Sequence, residues 1–113
     1  MFRGGAEHQV DGKGRIIVPA RFRELLAPAC FMTRGLHRCL FVFPWAKWLE
    51  IEDKLNAAPI TDLNAVALQR FFCSGMEANM DGQGRLMIPQ SLRDYAAIDR
   101  DVYSLGAGNR VEI

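Results

Sequence analysis

The chain lacks a long apolar run. Its best candidate, Leu40 to Leu49, is broken by Pro44 and Lys47, and nothing approaches the roughly 20 apolar residues of a membrane-crossing helix. No secretory pattern opens it, because Arg3 is followed by Gly4, Gly5 and Glu7 rather than an apolar core. Cysteine is scarce: Cys30, Cys39 and Cys73 are an odd number with no CxxC spacing. That argues against a disulfide framework and leads to the expectation of buried free thiols in a reducing, cytosolic compartment. His8 and His37 lie far apart with no partner at ligand spacing, so no metal site is expected. No GxxxxGK[ST] occurs, and Gly106-x-Gly108 lacks the third glycine and the strand–helix context of a dinucleotide site, reading instead as a hairpin turn. No serine, cysteine or carboxylate pair stands in a catalytic arrangement. The sequence therefore offers no hold for an enzyme, a cofactor or a small-molecule substrate.

Excess charge is also missing. The net charge is +1 and charged residues make up 24% of the 113 residues, while half are apolar. A small core is within reach, and a disordered tail is not indicated. The charge is unevenly spread. Residues 1–43 hold seven bases (Arg3, Lys13, Arg15, Arg21, Arg23, Arg34, Arg38) against three acids (Glu7, Asp11, Glu24). Residues 44–70 hold three bases and four acids, and residues 71–113 four and six. A polyanion would thus be met mainly by the first third, although such a segment can equally be a solvated face.

What the chain does have is a repeat. Asp11-Gly-Lys-Gly-Arg-Ile-Ile-Val-Pro-Ala-Arg-Phe-Arg-Glu-Leu25 returns 70 residues later as Asp81-Gly-Gln-Gly-Arg-Leu-Met-Ile-Pro-Gln-Ser-Leu-Arg-Asp-Tyr95, with six of fifteen positions identical. Upstream, Phe2 matches Phe72, Gly5 matches Gly75 and Glu7 matches Glu77; downstream, after a one-residue slip, Gly35 matches Gly106. The organisation is therefore a first β unit at 1–43, a helical linker at 44–70 and a second β unit at 71–113.

Each unit reads as strand, turn, strand, short helix, strand, turn, strand. Glu7 to Val10 is a strand, and Asp11-Gly12-Lys13-Gly14 is turn chemistry. Arg15 to Val18 is a β-branched strand ending at Pro19, which suits the first turn of a helix. Phe22, Leu25 and Leu26 then share a helical face, with Arg21, Arg23 and Glu24 pointing away; Leu92, Tyr95 and Ala96 repeat the pattern. Cys30–Thr33 and Cys39–Phe43 are two more strands, with Tyr103–Leu105 and Arg110–Ile113 as counterparts. Some forty residues cannot close a core alone and would leave sheet edges unpaired. The expected fold is α+β, mainly β, with the two units interlocked around a pseudo-twofold axis into one barrel-like core. In the linker, Trp48, Ile51 and Leu55 form one helical stripe, and Ala57-Ala58-Pro59 stops the helix. Thr61-Asp62 caps a second helix with Leu63, Val66, Ala67 and Phe71 as its stripe. This helical hairpin is expected to pack on its own core or on a neighbouring subunit.

Asp-x-x-Gly-Arg followed by three aliphatic residues, Pro and an amphipathic turn resembles the AbrB-type swapped-hairpin DNA-binding unit. Two copies in one chain, with Met1-Phe2-Arg3-Gly4, Glu7-His8, Pro59-Ile60-Thr61-Asp62, Gln69-Arg70-Phe71-Phe72 and Gly106 to Ile113, resemble the bacterial MraZ family over essentially the whole length. The resemblance implies a cytoplasmic, nucleoid-associated transcription regulator that assembles into a ring. It would bind double-stranded DNA at short direct repeats upstream of the division and cell-wall gene cluster that encodes it. Two departures stand out. Gln83 replaces Lys13 in the second copy, so the units need not bind equally. The chain also ends at Ile113, short of the family's expected length, so a tail that aids assembly is expected beyond it.

The DNA-contacting candidates are Lys13, Arg15 and Arg85, then Arg21 and Arg23. Lys13 and Arg15 sit where a β-ribbon edge can project into a groove, with Arg suited to guanine and Lys to phosphate. Arg15 has a structural alternative, its guanidinium binding Asp11 or a turn carbonyl, and its repetition as Arg85 fits both readings. Asp11 and Asp81 read as turn-formers. Arg21 and Arg23 flank a helix start, where phosphate contact competes with a solvated face. A different class of function also stands: a protein-interaction module of antitoxin type, capturing a partner through the linker helices with DNA binding secondary.

Overall fold

The computed structural model describes residues 1–113 and has α+β architecture. The elements run β1 (Gly5–Gln9), β2 (Arg15–Ile17), α1 (Ala20–Leu26), β3 (Ala29–Arg34), β4 (Leu40–Pro44), α2 (Trp45–Ala57), α3 (Leu63–Cys73), β5 (Met76–Asn79), β6 (Arg85–Met87), α4 (Gln90–Tyr95), β7 (Asp101–Gly106) and β8 (Val111–Glu112). A six-stranded antiparallel sheet has the order β1-β7-β8-β4-β3-β5, and β2 pairs with β6 in a separate two-stranded ribbon.

That order shows how the repeat is used. The first strand of each half pairs with the other half: β1 with β7 and β5 with β3. The ribbon does the same, with Arg15 opposite Met87, Ile16 opposite Leu86 and Ile17 opposite Arg85. Val18 N–H donates to Gly84 O, and Ile88 N–H to Gly14 O, both at 2.8 Å. Ile16 and Leu86 are equivalent positions of the repeat, so the pseudo-twofold passes through that pair.

Strand alternation sends Ile16, Val18, Leu86 and Ile88 inward, all at most 2% exposed. They join Phe22, Leu26 and Leu92 from α1 and α4, and Cys30, Met32, Leu40, Val42, Val102 and Val111 from the sheet, in the main core. Pro19 and Pro89 precede α1 and α4, and their carbonyls accept from Phe22 N–H and Leu92 N–H. Only Phe22 and Leu26 of α1 are buried, however. Leu25 is 46% exposed, because a two-turn helix lying on a curved core buries a narrow i, i+4 stripe.

The other sheet face carries Phe31, Phe41 and Phe43, covered by the helical hairpin. Trp48 stacks on Phe31 with ring centroids 3.8 Å apart, and Phe72 of α3 stacks on Phe41 at 6.2 Å. The hairpin therefore packs on its own molecule. Asp62 caps α3 by accepting from Ala65 N–H at 3.1 Å. The expected stripe of α3 holds at Val66 and Phe71, both half-buried, but the inward side also takes in Ala65, Gln69 and Phe72, while Leu63 is 79% exposed and Ala67 is exposed. Of the thiols, Cys30 is buried, Cys39 half-buried and Cys73 exposed at the end of α3. The expectation of three buried thiols holds for Cys30 alone; burial pushes its thiol up to about 12.

Candidate nucleic-acid interface

The two Gly-rich turns are built alike. Asp11 Oδ1 accepts from Lys13 N–H and Arg15 N–H, both at 2.9 Å, and Asp11 Oδ2 accepts from Arg15 Nε at 2.8 Å. Asp81 repeats this with Gln83 N–H, Arg85 N–H and Arg85 Nε at 2.9, 2.9 and 2.7 Å. Backbone donation from Arg15 and from Arg85, with the side-chain bonds that follow, holds each carboxyl below the usual aspartate range. Both turns close with a glycine in the left-handed region, Gly14 at φ 83° and Gly84 at φ 78°.

The two alternatives for Arg15 turn out to be compatible. Nε is spent on Asp11, whereas the Nη groups make no hydrogen bond to protein. The same holds for Arg85 and Asp81. A tether through Nε fixes the plane of the guanidinium and leaves an edge for an outside acceptor. Lys13 and Gln83 are exposed at the turn tips. Arg15, Arg85 and Gln83 line one open groove of about 710 Å³ with Asp11, Asp99, Arg100 and Ile17. The structure thus brings Arg15 and Arg85 together, from segments 70 residues apart in sequence.

Arg21 and Arg23 go elsewhere. Arg21 donates from Nη2 to Gly5 O at 2.6 Å and lies over the Phe22 ring at 5.2 Å. Arg23 does not face away from the body: Nε donates to Val18 O at 2.8 Å, and its side chain lies against Gly84, where a Cβ would fall 2.5 Å from Nε. Arg93 mirrors it on the other side, donating from Nε to Ile88 O at 2.9 Å and packing on Gly14, where a Cβ would fall 2.7 Å from Cζ. Each helix arginine thus braces the turn of the opposite unit. Sequence reasoning missed Arg93, although it is one of the six identities of the repeat. It also missed Arg100, which has no counterpart in the repeat and enters the groove only through the loop before β7.

A family model described as "MraZ protein, putative antitoxin-like" matches twice, at residues 1–71 and 71–113, and so spans the whole chain. The chain belongs to the MraZ family. Relatives named transcriptional regulator MraZ occur in Heliobacterium modesticaldum and Desulfitobacterium hafniense, each 50% identical over 114 residues. Another, from Acetivibrio thermocellus, is 46% identical over 114 residues. In all three the match covers 100% of this chain and 80% of the relative. For an MraZ protein, the double match gives the interleaved pairing a simple reading: two successive copies of a motif, each completed by strands of the other.

Proposed function

We propose that the chain is a transcriptional regulator that binds double-stranded DNA through the β2–β6 ribbon and its two turns. The observation that carries this is the pair of Asp-tethered arginines, Arg15 and Arg85, whose Nη edges are free and share one open groove. The names of the relatives support the regulatory part. Arg15 and Arg85 contact base edges, Lys13 contacts a phosphate, and Arg21 stands at the rim. Arg23 acts indirectly, through the turn it braces. The repeat boundaries, 1–43 and 71–113 around a linker at 44–70, are the working units of this reading.

One ribbon neutralises few phosphates, so a single copy binds weakly and with strong salt dependence. A ring of copies presents many ribbons at fixed spacing and raises avidity on tandem direct repeats without new contacts. We assign those repeats to the promoter of the division and cell-wall cluster. Exposed Leu63 and Leu68 on α3, with Ile60 just before it, favour a protein contact by the hairpin. That contact serves assembly in this reading, or a captured protein in the antitoxin-type one. Arg15→Ala is expected to abolish specific binding to promoter DNA in a gel shift while light scattering shows unchanged assembly. Full binding by a well-assembled variant would refute the assignment.

A further inference from the structure

The ribbon's outward face holds four side chains. Arg15 and Ile17 alternate with buried Ile16 on β2, and Arg85 and Met87 alternate with buried Leu86 on β6. The register sets each cation across from an apolar residue, Arg15 opposite Met87 and Ile17 opposite Arg85. The apolar pair stands proudest: Ile17 is 57% and Met87 48% exposed, whereas the Arg15 and Arg85 side chains are 25% and 29% exposed. A ribbon serving phosphates alone gains nothing from two unpartnered apolar tips, one at each end of it. Both copies of the repeat nevertheless place one at the equivalent position.

Resting on the DNA-binding reading above, we propose that Ile17 and Met87 are specificity-determining residues that read thymine methyl groups in the major groove. Charge complementarity commits this patch to DNA. The groove reaching Ile17 carries Arg15, Arg85 and Arg100, and Asp11 and Asp81 engage only the Nε of Arg15 and Arg85, so the Nη donors of both arginines stay free for an anionic partner. Residues two apart on a strand lie about 7 Å apart, and facing residues about 5 Å. The patch therefore spans about two base steps of 3.4 Å. The thymine C5-methyl is the apolar feature of the major groove, and a two-stranded ribbon fits that groove. Two diagonal arginines reading guanine beside two diagonal apolar tips reading thymine give one ribbon a mixed base code.

The test uses the full chain and a duplex selected from a random pool at fixed salt. Thymines are replaced one at a time by deoxyuridine, which removes only the methyl. Wild type is expected to lose roughly fourfold in affinity at one or two positions, the fold-change for burying one methyl. Ile17→Ala or Met87→Ala should be indifferent to the replacement at the corresponding position, with the salt slope unchanged. Tight wild-type binding with no response to any deoxyuridine overturns the proposal while leaving the DNA reading intact. A changed mass in light scattering with an unchanged deoxyuridine response identifies the patch as a contact between copies, and also overturns it. Absence of duplex binding by wild type at any salt overturns both readings.

Discussion

Arginine has three distinct uses in this chain, separable by what its Nε does. In Arg15 and Arg85, Nε bonds a turn carboxylate and the Nη edge stays free. In Arg23 and Arg93, Nε bonds a strand-end carbonyl and the guanidinium lies over a glycine of the other unit. In Arg21, an Nη group holds Gly5 O. The Asp–Gly turn chemistry was legible in the sequence, because Asp accepting from backbone N–H two and four residues on is a local effect. The use of Arg23 was not. Its partner carbonyl is local, but the glycine it covers lies in the other unit, and helical periodicity alone turns Arg23 outward. The structural assignment has a measurable consequence. Arg23→Ala is expected to lower stability by about 1.5–3 kcal/mol, the range for a hydrogen bond to a charged group. It should leave the slope of log affinity against log salt unchanged. A slope reduced by about one unit in salt titration, with stability intact in urea denaturation, would return Arg23 to the phosphate-contacting set.

Among the elements, the helical hairpin shows most plainly where sequence periodicity succeeds and where it stops. The stripe Trp48, Ile51, Leu55 on α2 faces the sheet, with Trp48 at 2% exposure. Its partners Phe31 and Phe43 come from strands earlier in the chain, a cross-layer match that no single-element pattern displays. For α3, periodicity found the helix, its cap at Asp62 and the half-buried Val66 and Phe71, but it also drew in Leu63 and Ala67, which are exposed, and passed over Phe72. An apolar count cannot choose between two adjacent faces when both are apolar. Trp48→Ala should cost about 3–5 kcal/mol, the range for deleting a buried large aromatic side chain. Thermal or urea unfolding measures it. A cost below about 0.5 kcal/mol, the ordinary range for surface substitutions, would mean that the hairpin is only loosely held to the sheet.

At the scale of the whole molecule, the two repeats do not sit side by side but exchange strands: β1 and β2 bond to β7 and β6, and β5 to β3. The need for a second copy was legible, since unpaired edges and a thin core follow from the length of one unit. The strand order was not, because short alternating strands carry little information about which neighbour each will choose. A fragment of residues 1–43 loses the partners of β1 and β2 and the Leu86, Ile88 and Leu92 side of the core. It should give no cooperative thermal transition by circular dichroism as a monomer. A sharp monomeric transition would show that one unit closes on itself.

The axis through Ile16 and Leu86 brings a question of polarity. A surface with near-twofold symmetry can meet a duplex, whose own backbone is locally twofold, in two opposite senses of almost equal energy. Lys13 on one tip against Gln83 on the other makes those senses unequal. On the proposed DNA-binding reading, a single ammonium therefore gives the protein a front and a back along the duplex, so that successive copies on a tandem array would all travel the same way.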